Sequence, residues 1–314
     1  MTAVLIGAGG WAYFHVPREE PLVAYAKAFD FVEVNSTFYE SPDMRTVRSW
    51  RRKTPRSFEF AVRCHRDVAH RERLQPSSRN VASLERLLEI CETLNATVLH
   101  VLVPPGLRLQ GESVVKIRDL FGSVDMGQVR VALETSRGSK LPLDPRLIRI
   151  MQDLNMVHCV DLSQREPAYK SDLLYTRLFG PREDNVYQFA DEELKEINDK
   201  ASKTEFERSV LAFHGVKMYK DAARLKTYKS TGSFPMVTSD IGLRSLQEVL
   251  TEDQPFPASK TTLTERQGWK MIDLNSEQRV PAAKMLGDLP NRRYASINDV
   301  LTTLTDRASS SKKI

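Results

Sequence analysis

The sequence predicts a (β/α)8 barrel of the TIM type with a small, mainly helical C-terminal domain. Eight short apolar runs alternate with longer amphipathic stretches over about the first 229 of 314 residues. Each run is about four to six residues long, the length of a strand buried on both faces. Past Tyr228 the pattern changes, and Ser230-Thr231-Gly232-Ser233-Phe234-Pro235 reads as a linker. A barrel needs about 250 residues, so one large and one small domain account for the length.

The runs are Ala3–Ile6, Phe31–Val34, Phe58–Val62, Val98–Val103, Val129–Leu133, Val157–Val160, Leu173–Leu178 and Ser209–Phe213. Between them, Val81–Leu94 carries Leu84, Leu87, Leu88, Cys91 and Leu94 at helical spacing, and Asp191–Ala201 reads as another helix. Strand–helix alternation repeated in this way is the barrel pattern. The structural alternative is an open doubly wound sheet, but Gly7-Ala8-Gly9-Gly10 lacks the third glycine of a phosphate fingerprint. The expected boundaries are a barrel over 1–229, a linker and helical connection over 230–254, a compact unit over 255–305 and a flexible tail over 306–314. In the later segments a helix is expected near Leu243–Leu250, a cap at Ser259, a strand over Met271–Leu274, a helix over Ala282–Leu289 and a last one opening at Ser296.

Hydrophobic residues are 41% and charged residues 28% of the chain, ordinary for a protein with a real core. No run approaches the roughly 20 apolar residues of a membrane helix, and the N-terminus lacks the basic region of a secretory signal. Cys64, Cys91 and Cys159 are odd in number and widely spaced, which argues against a disulfide framework and points to a cytoplasmic protein. A net charge of +5 and a pI near 9.0 tilt towards an anionic partner.

Barrel chemistry sits at the C-terminal ends of the strands. Those ends read Gly7–Trp11, Glu33 with Asn35, Arg63 with His65, Pro104, Glu134, Asp161, Arg177 and His214. Two positions earlier, on the same face, Ala61, Ala132, Cys159 and Ala212 precede Arg63, Glu134, Asp161 and His214. Small residues beneath polar ones would leave room for a ligand or an ion. Plainer readings stay open: Glu134 and Arg177 as an ion pair, Asp161 as a helix cap, His214 as a hydrogen-bonded structural residue. The loop after the third run gathers Arg63, His65, Arg66, His70, Arg71 and Arg73, whose guanidinium forks suit phosphate or carboxylate. Arg48, Arg51, Arg52, Lys53 and Arg56 belong partly to the opposite face. Trp11, Tyr13, Phe38 and Tyr39 would stack on a base or sugar, or plug the core.

These strand ends also resemble a known family. Gly10-Trp11-Ala12-Tyr13, Glu33-Val34-Asn35-Ser36-Thr37-Phe38-Tyr39, Phe58-Glu59-Phe60-Ala61-Val62-Arg63, Pro104-Pro105, Ala132-Leu133-Glu134, Asp161, Tyr175-Thr176-Arg177-Leu178-Phe179-Gly180 and Met218-Tyr219-Lys220-Asp221-Ala222 are similar to the YecE-like proteins, domain of unknown function 72. The last segment resembles archaeal members, and the resemblance implies a TIM-type barrel over roughly residues 4 to 228. It implies no reaction. The chain departs from the family pattern at Leu102-Val103, at Glu134-Thr135-Ser136 with Arg137 one place late, at Phe179 in place of histidine, and at Phe213-His214-Gly215 in place of Phe-Asn-Asn.

The leading expectation is a metal-dependent phosphodiester hydrolase, a nuclease on DNA or RNA. Glu33, Glu134 and Asp161 would hold magnesium or manganese, and Glu134, Asp161 and His214 would be catalytic. Trp11, Asn35, Tyr39, Arg63, His65, His70, Arg73 and Arg177 would bind substrate, and no organic cofactor is indicated. The alternatives are a lyase, isomerase or hydrolase of a small sugar or acid, with Glu134 and Asp161 as acid and base, and a non-catalytic nucleic-acid-binding protein whose site has decayed.

Overall fold

Leucine, valine and alanine runs too short for helices become the strands of one sheet. In the computed structural model, which describes residues 2–135, 142–182, 184–253 and 255–311, eight strands carry the barrel: β1 (Ala3–Ala8), β2 (Phe31–Val34), β3 (Glu59–Arg63), β4 (Val98–Leu102), β5 (Arg130–Glu134), β6 (Val157–Cys159), β7 (Leu173–Leu178) and β8 (Arg208–Phe213). All eight predicted runs are strands. They pair in parallel in the order β6-β5-β4-β3-β2-β1-β8-β7, and a parallel bridge from Val160 to Thr176 links the two ends. Thr176 reinforces that seam: its Oγ1 donates to Val160 O at 2.7 Å and accepts from Leu162 N at 3.0 Å. The chain is therefore a (β/α)8 TIM-type barrel.

The helices between the strands include α1 (Pro21–Ala28), α2 (Met44–Arg52), α3 (Ser78–Leu94), α4 (Glu112–Gly122), α5 (Pro145–Asp153), α6 (Asp191–Ala201) and α7 (Met218–Thr231). Local chemistry sets their limits. Asp43 and Ser77 cap α2 and α3 by accepting from Thr46 N and Asn80 N, and Asn95 ends α3 in the left-handed conformation. Inside the barrel, Leu5, Phe31, Ala61, Val98, Ala132, Val157, Leu173 and Val210 pack in one cluster with Cys159, Tyr175 and Ala212. This cluster fixes the strand phase. The next inward positions, two residues further on, are Glu33, Arg63, His100, Glu134, Asp161, Arg177 and His214, so a polar layer lies directly on the apolar one.

By internal contacts the chain divides into two units: Met1–Phe179 with Ile197–His214, and Gly180–Glu196 with Gly215–Ile314. The second unit contains α7, α8 (Leu243–Asp253), α9 (Lys260–Gln267), α10 (Ala283–Leu286) and α11 (Ile297–Ser311). It also holds two small antiparallel pairs, β10 (Met271–Asp273) with β11 (Arg279–Pro281), and β9 (Ala258–Ser259) with β12 (Arg293–Tyr294). Its core packs Leu246, Leu250, Leu263, Ile272 and Tyr294. Fully buried Asp273 is satisfied there by Val237 N, Thr238 N and the Thr238 hydroxyl. Among the described residues, no helix is long and apolar enough to cross a membrane.

Candidate site at the barrel mouth

Alternation by two brings residues remote in sequence into one buried layer, and Arg177 ties it together. Its Nη1 lies 2.5 Å from Glu134 Oε2 and its Nε 3.1 Å from Glu33 Oε2. Arg177 Nε is also 3.2 Å from His214 Nε2. Glu134 accepts from His100 Nε2 at 2.9 Å, and Tyr175 donates its hydroxyl to Glu33 Oε2 at 2.7 Å. The Glu134–Arg177 ion pair, one of the plainer readings, is thus present. His100 was missed by sequence reasoning because the fourth strand was read only at its end, Pro104. Counting inward by two from Val98 finds His100.

Electrostatics follow from burial and from the one guanidinium. Burial works to raise the pKa of Glu33, but Arg177, His214 and His100 outweigh it and hold the carboxylate well below its ordinary range. Glu134 is held below its ordinary value in the same way, chiefly by Arg177 against the burial cost. Burial, with Arg177 second, pushes His214 down to about 4, and the same two causes lower His100. Both imidazoles are therefore neutral near pH 7. His214 accepts from Arg177 at Nε2, which leaves Glu33 Oε1, 3.5 Å away, without a hydrogen bond.

Asp161 stands apart. Its carboxylate accepts from Ser163 N at 3.0 Å, Ser163 Oγ at 2.6 Å and Phe179 N at 2.9 Å, holding the turn after β6. The expected metal set of Glu33, Glu134 and Asp161 is consequently not brought together. One group among the described residues could hold a metal by distance: His100, Glu134 and Cys159 place ligand atoms within 4.8 Å of one another. That mixed nitrogen, oxygen and sulfur set suits zinc better than the expected magnesium or manganese. Electrostatically the fit is poor: Arg177 already bonds Glu134, and burial keeps the Cys159 thiol well above its usual pKa.

The segment Glu33-Val34-Asn35-Ser36-Thr37-Phe38-Tyr39 builds the rim. Glu33 joins the buried layer, and Asn35 Oδ1 accepts from Arg63 Nη1 at 2.5 Å. Thr37 Oγ1 sits 2.7 Å from Val34 O and 2.6 Å from Arg63 O, tying two strand ends together. The Phe38 ring lies 3.8 Å from the Arg63 guanidinium carbon and meets His70 edge-on, while Tyr39 O contacts His65 Nε2 at 3.2 Å. Arg63 is only 8% exposed, yet among the described residues Asn35 is its one hydrogen-bond acceptor, no carboxylate pairs with it, and its Nε is unsatisfied. A buried, unpaired cation is costly.

The basic loop is held open by unusual backbone. A π-turn over Asp67–Arg71 closes with Glu72 N on Asp67 O at 2.8 Å, and Arg73 and Leu74 follow with φ of 49° and 56°. Buried Asn80 anchors the loop through Gln75 O at 2.9 Å. Arg66 is exposed, Arg73 reaches Gly106 O at 3.5 Å, and Arg71 is 3.9 Å from Asp67. On the other face Arg51 donates to Phe58 O at 2.9 Å and also to Pro55 O, a structural role. Trp11 packs edge-on against Trp50, and Tyr13 and Tyr39 are exposed at the rim. Gly9 has to be glycine, because a Cβ there would lie 2.1 Å from the His214 ring. Two departures from the family pattern touch each other: Phe179 stacks on His214 at 4.9 Å, and Arg177 lies 5.1 Å over Phe179. Ser136 and Arg137 lie outside the described residues.

Fold and layer together define a TIM-type barrel with a buried polar network at the C-terminal ends of its strands. The family model described as "Protein of unknown function DUF72" matches residues 5–230, so the chain belongs to the DUF72 family. Solved structures agree on the fold. A DUF72 family protein from Enterococcus faecalis is 15% identical, with a TM-score of 0.57 over 74% of this chain and 98% of its own. One from Thermotoga maritima is 19% identical, with a TM-score of 0.57 over 73% and 99%. SacUVDE, at 7% identity and a TM-score of 0.51 over 74% and 99%, shares the fold alone. Among curated proteins nothing matches.

Proposed function

We propose that the barrel mouth binds a phosphate-bearing ligand, single-stranded DNA or RNA, with a phosphate seated on Arg63. The carrying observation is the Arg63 guanidinium, nearly buried and without a carboxylate partner among the described residues. A ligand oxyanion supplies the missing charge with donor geometry that suits phosphate. Around it His65, His70, Arg66 and Arg73 add positive or donor groups, and exposed Tyr13 and Tyr39 offer ring faces for bases. Arg177, bound to both carboxylates, belongs to the floor and not to the ligand.

Proton transfer at neutral pH is not favoured by the floor. Both glutamates are held below their ordinary range and both histidines are lowered by burial, His214 to about 4, whereas an efficient acid or base titrates near the working pH. That weighs against a small-molecule lyase or isomerase using Glu134 and Asp161. Metal-dependent phosphodiester cleavage, a nuclease activity, stays as a second reading on one observation, the His100, Glu134 and Cys159 group. It requires Arg177 to leave Glu134.

Fluorescence anisotropy with labelled single-stranded DNA and RNA tests the first reading. Arg63→Met is expected to weaken binding about 10- to 100-fold, the worth of a charge-assisted hydrogen bond of about 1.5–3 kcal/mol, with the fold retained by circular dichroism. Unchanged affinity refutes the role of Arg63. Cleavage of the same strands that zinc restores and a chelator abolishes would favour the second reading.

A further inference from the structure

Two neighbouring helices of the barrel carry opposite charge on their exposed faces. On α2, Arg45, Arg48 and Arg52 are exposed and share one face, spaced by three and then four residues. On α3, Glu85, Glu89 and Glu92 do the same, spaced by four and then three. Each stripe therefore covers the same length of helix, about 10.5 Å at about 1.5 Å per residue.

The stripes lie side by side without neutralising each other. α2 packs on α3. Arg86 Nη2 donates to Pro42 O at 3.4 Å just before α2, and Arg51 Nη1 to Leu94 O at 3.3 Å where both helices end. The two helices consequently run in the same direction. Among the described residues, Arg45, Arg48, Arg52, Glu85 and Glu92 form no ion pair, and Glu89 pairs only with Arg86 on its own helix.

Such a face is complementary to itself. A two-fold axis between α2 and α3, perpendicular to both, sets each α2 antiparallel to the α3 of a second copy. Read backwards, the arginine spacing becomes four and then three, which is the glutamate spacing. One register then aligns all the pairs at once: Arg52 with Glu85, Arg48 with Glu89 and Arg45 with Glu92 of the second copy. A parallel alignment puts the middle pair out of step by one residue. The glutamates beside the arginines repel a nucleic-acid backbone. Neither helix exposes a large apolar side chain for a membrane.

We propose that two copies of this chain associate through this face, α2 of each against α3 of the other. The contact is ionic and salt-labile, because exposed pairs are weak singly and screened by salt. It is independent of the barrel mouth, since none of the six residues belongs to the ligand site proposed there.

Sedimentation velocity of the full chain at submillimolar concentration tests it. The wild type is expected to sediment as a dimer at about 0.1 M salt and as a monomer at about 1 M, as the screening length falls from about 10 to about 3 Å. Arg45→Glu/Arg48→Glu/Arg52→Glu and Glu85→Lys/Glu89→Lys/Glu92→Lys should each be monomeric at low salt, and folded by circular dichroism because all six positions are exposed. Mixed one to one, the two variants should form a heterodimer, since every pair is again opposite in sign. A wild type that is monomeric at low salt, a dimer that either variant retains, or a mixture that stays monomeric overturns the proposal.

Discussion

Replacing Arg177 by methionine removes the cation shared by two buried carboxylates. Glu33 and Glu134 are 0% and 3% exposed at the side chain and lie 3.1 and 2.5 Å from the guanidinium. Breaking a buried pair by deleting one partner costs about 3–5 kcal/mol, and here two partners are orphaned, so the upper end applies at pH 7. The sign of the pH dependence also reverses. In the native chain both glutamates titrate below their ordinary value, so their stabilising contribution is present above about pH 4.5 and lost on acidification. Without Arg177 burial dominates and raises both values. Their folded state is then favoured when protonated, and stability falls as pH rises from about 4.5 to 7. Urea denaturation of Arg177→Met across that interval measures both effects. A loss below about 1 kcal/mol at pH 7, or a slope of unchanged sign, would refute the ionic account of the layer.

Other perturbations probe the neighbours. Gly9→Ala drives a Cβ into the His214 ring and should cost about 1–3 kcal/mol; the double variant Gly9→Ala/His214→Ala should recover at least about 1 kcal/mol in a double-mutant cycle. His214, held neutral with a pKa near 4, gives stability present above about pH 6.5 and lost as pH falls towards 4, about 3 kcal/mol at 1.36 per unit. His214→Gln should remove that share of acid sensitivity, and equal acid profiles would contradict it. Asp161→Ala leaves Phe179 N–H unpaired in the interior and should lose about 2 kcal/mol by urea denaturation while oligonucleotide affinity holds. A parallel loss of affinity would return Asp161 to the site.

The eight strands were legible because burial on both faces forces continuous apolar runs, and the small residues Ala61, Ala132, Cys159 and Ala212 correctly signalled inward polar neighbours above them. Side-chain pairing was less legible. Glu33, Glu134 and Asp161 look alike as strand-end acids, but the first two face Arg177 and the third turns to backbone N–H groups after β6. Only the turn geometry at Ser163 and Phe179 decides that. Arg63 and Arg177 likewise read as equivalent phosphate ligands, whereas carboxylates neutralise one and an amide holds the other. The clue to His100 was phase, two residues past Val98.

The role of Arg63 is tested most directly by the salt dependence of single-stranded oligonucleotide binding in the wild type and in Arg63→Met. Each phosphate contact contributes about 0.7 to the slope of log affinity against log salt. The slope should shrink by about that amount in the variant. Identical slopes would mean that no phosphate sits on Arg63.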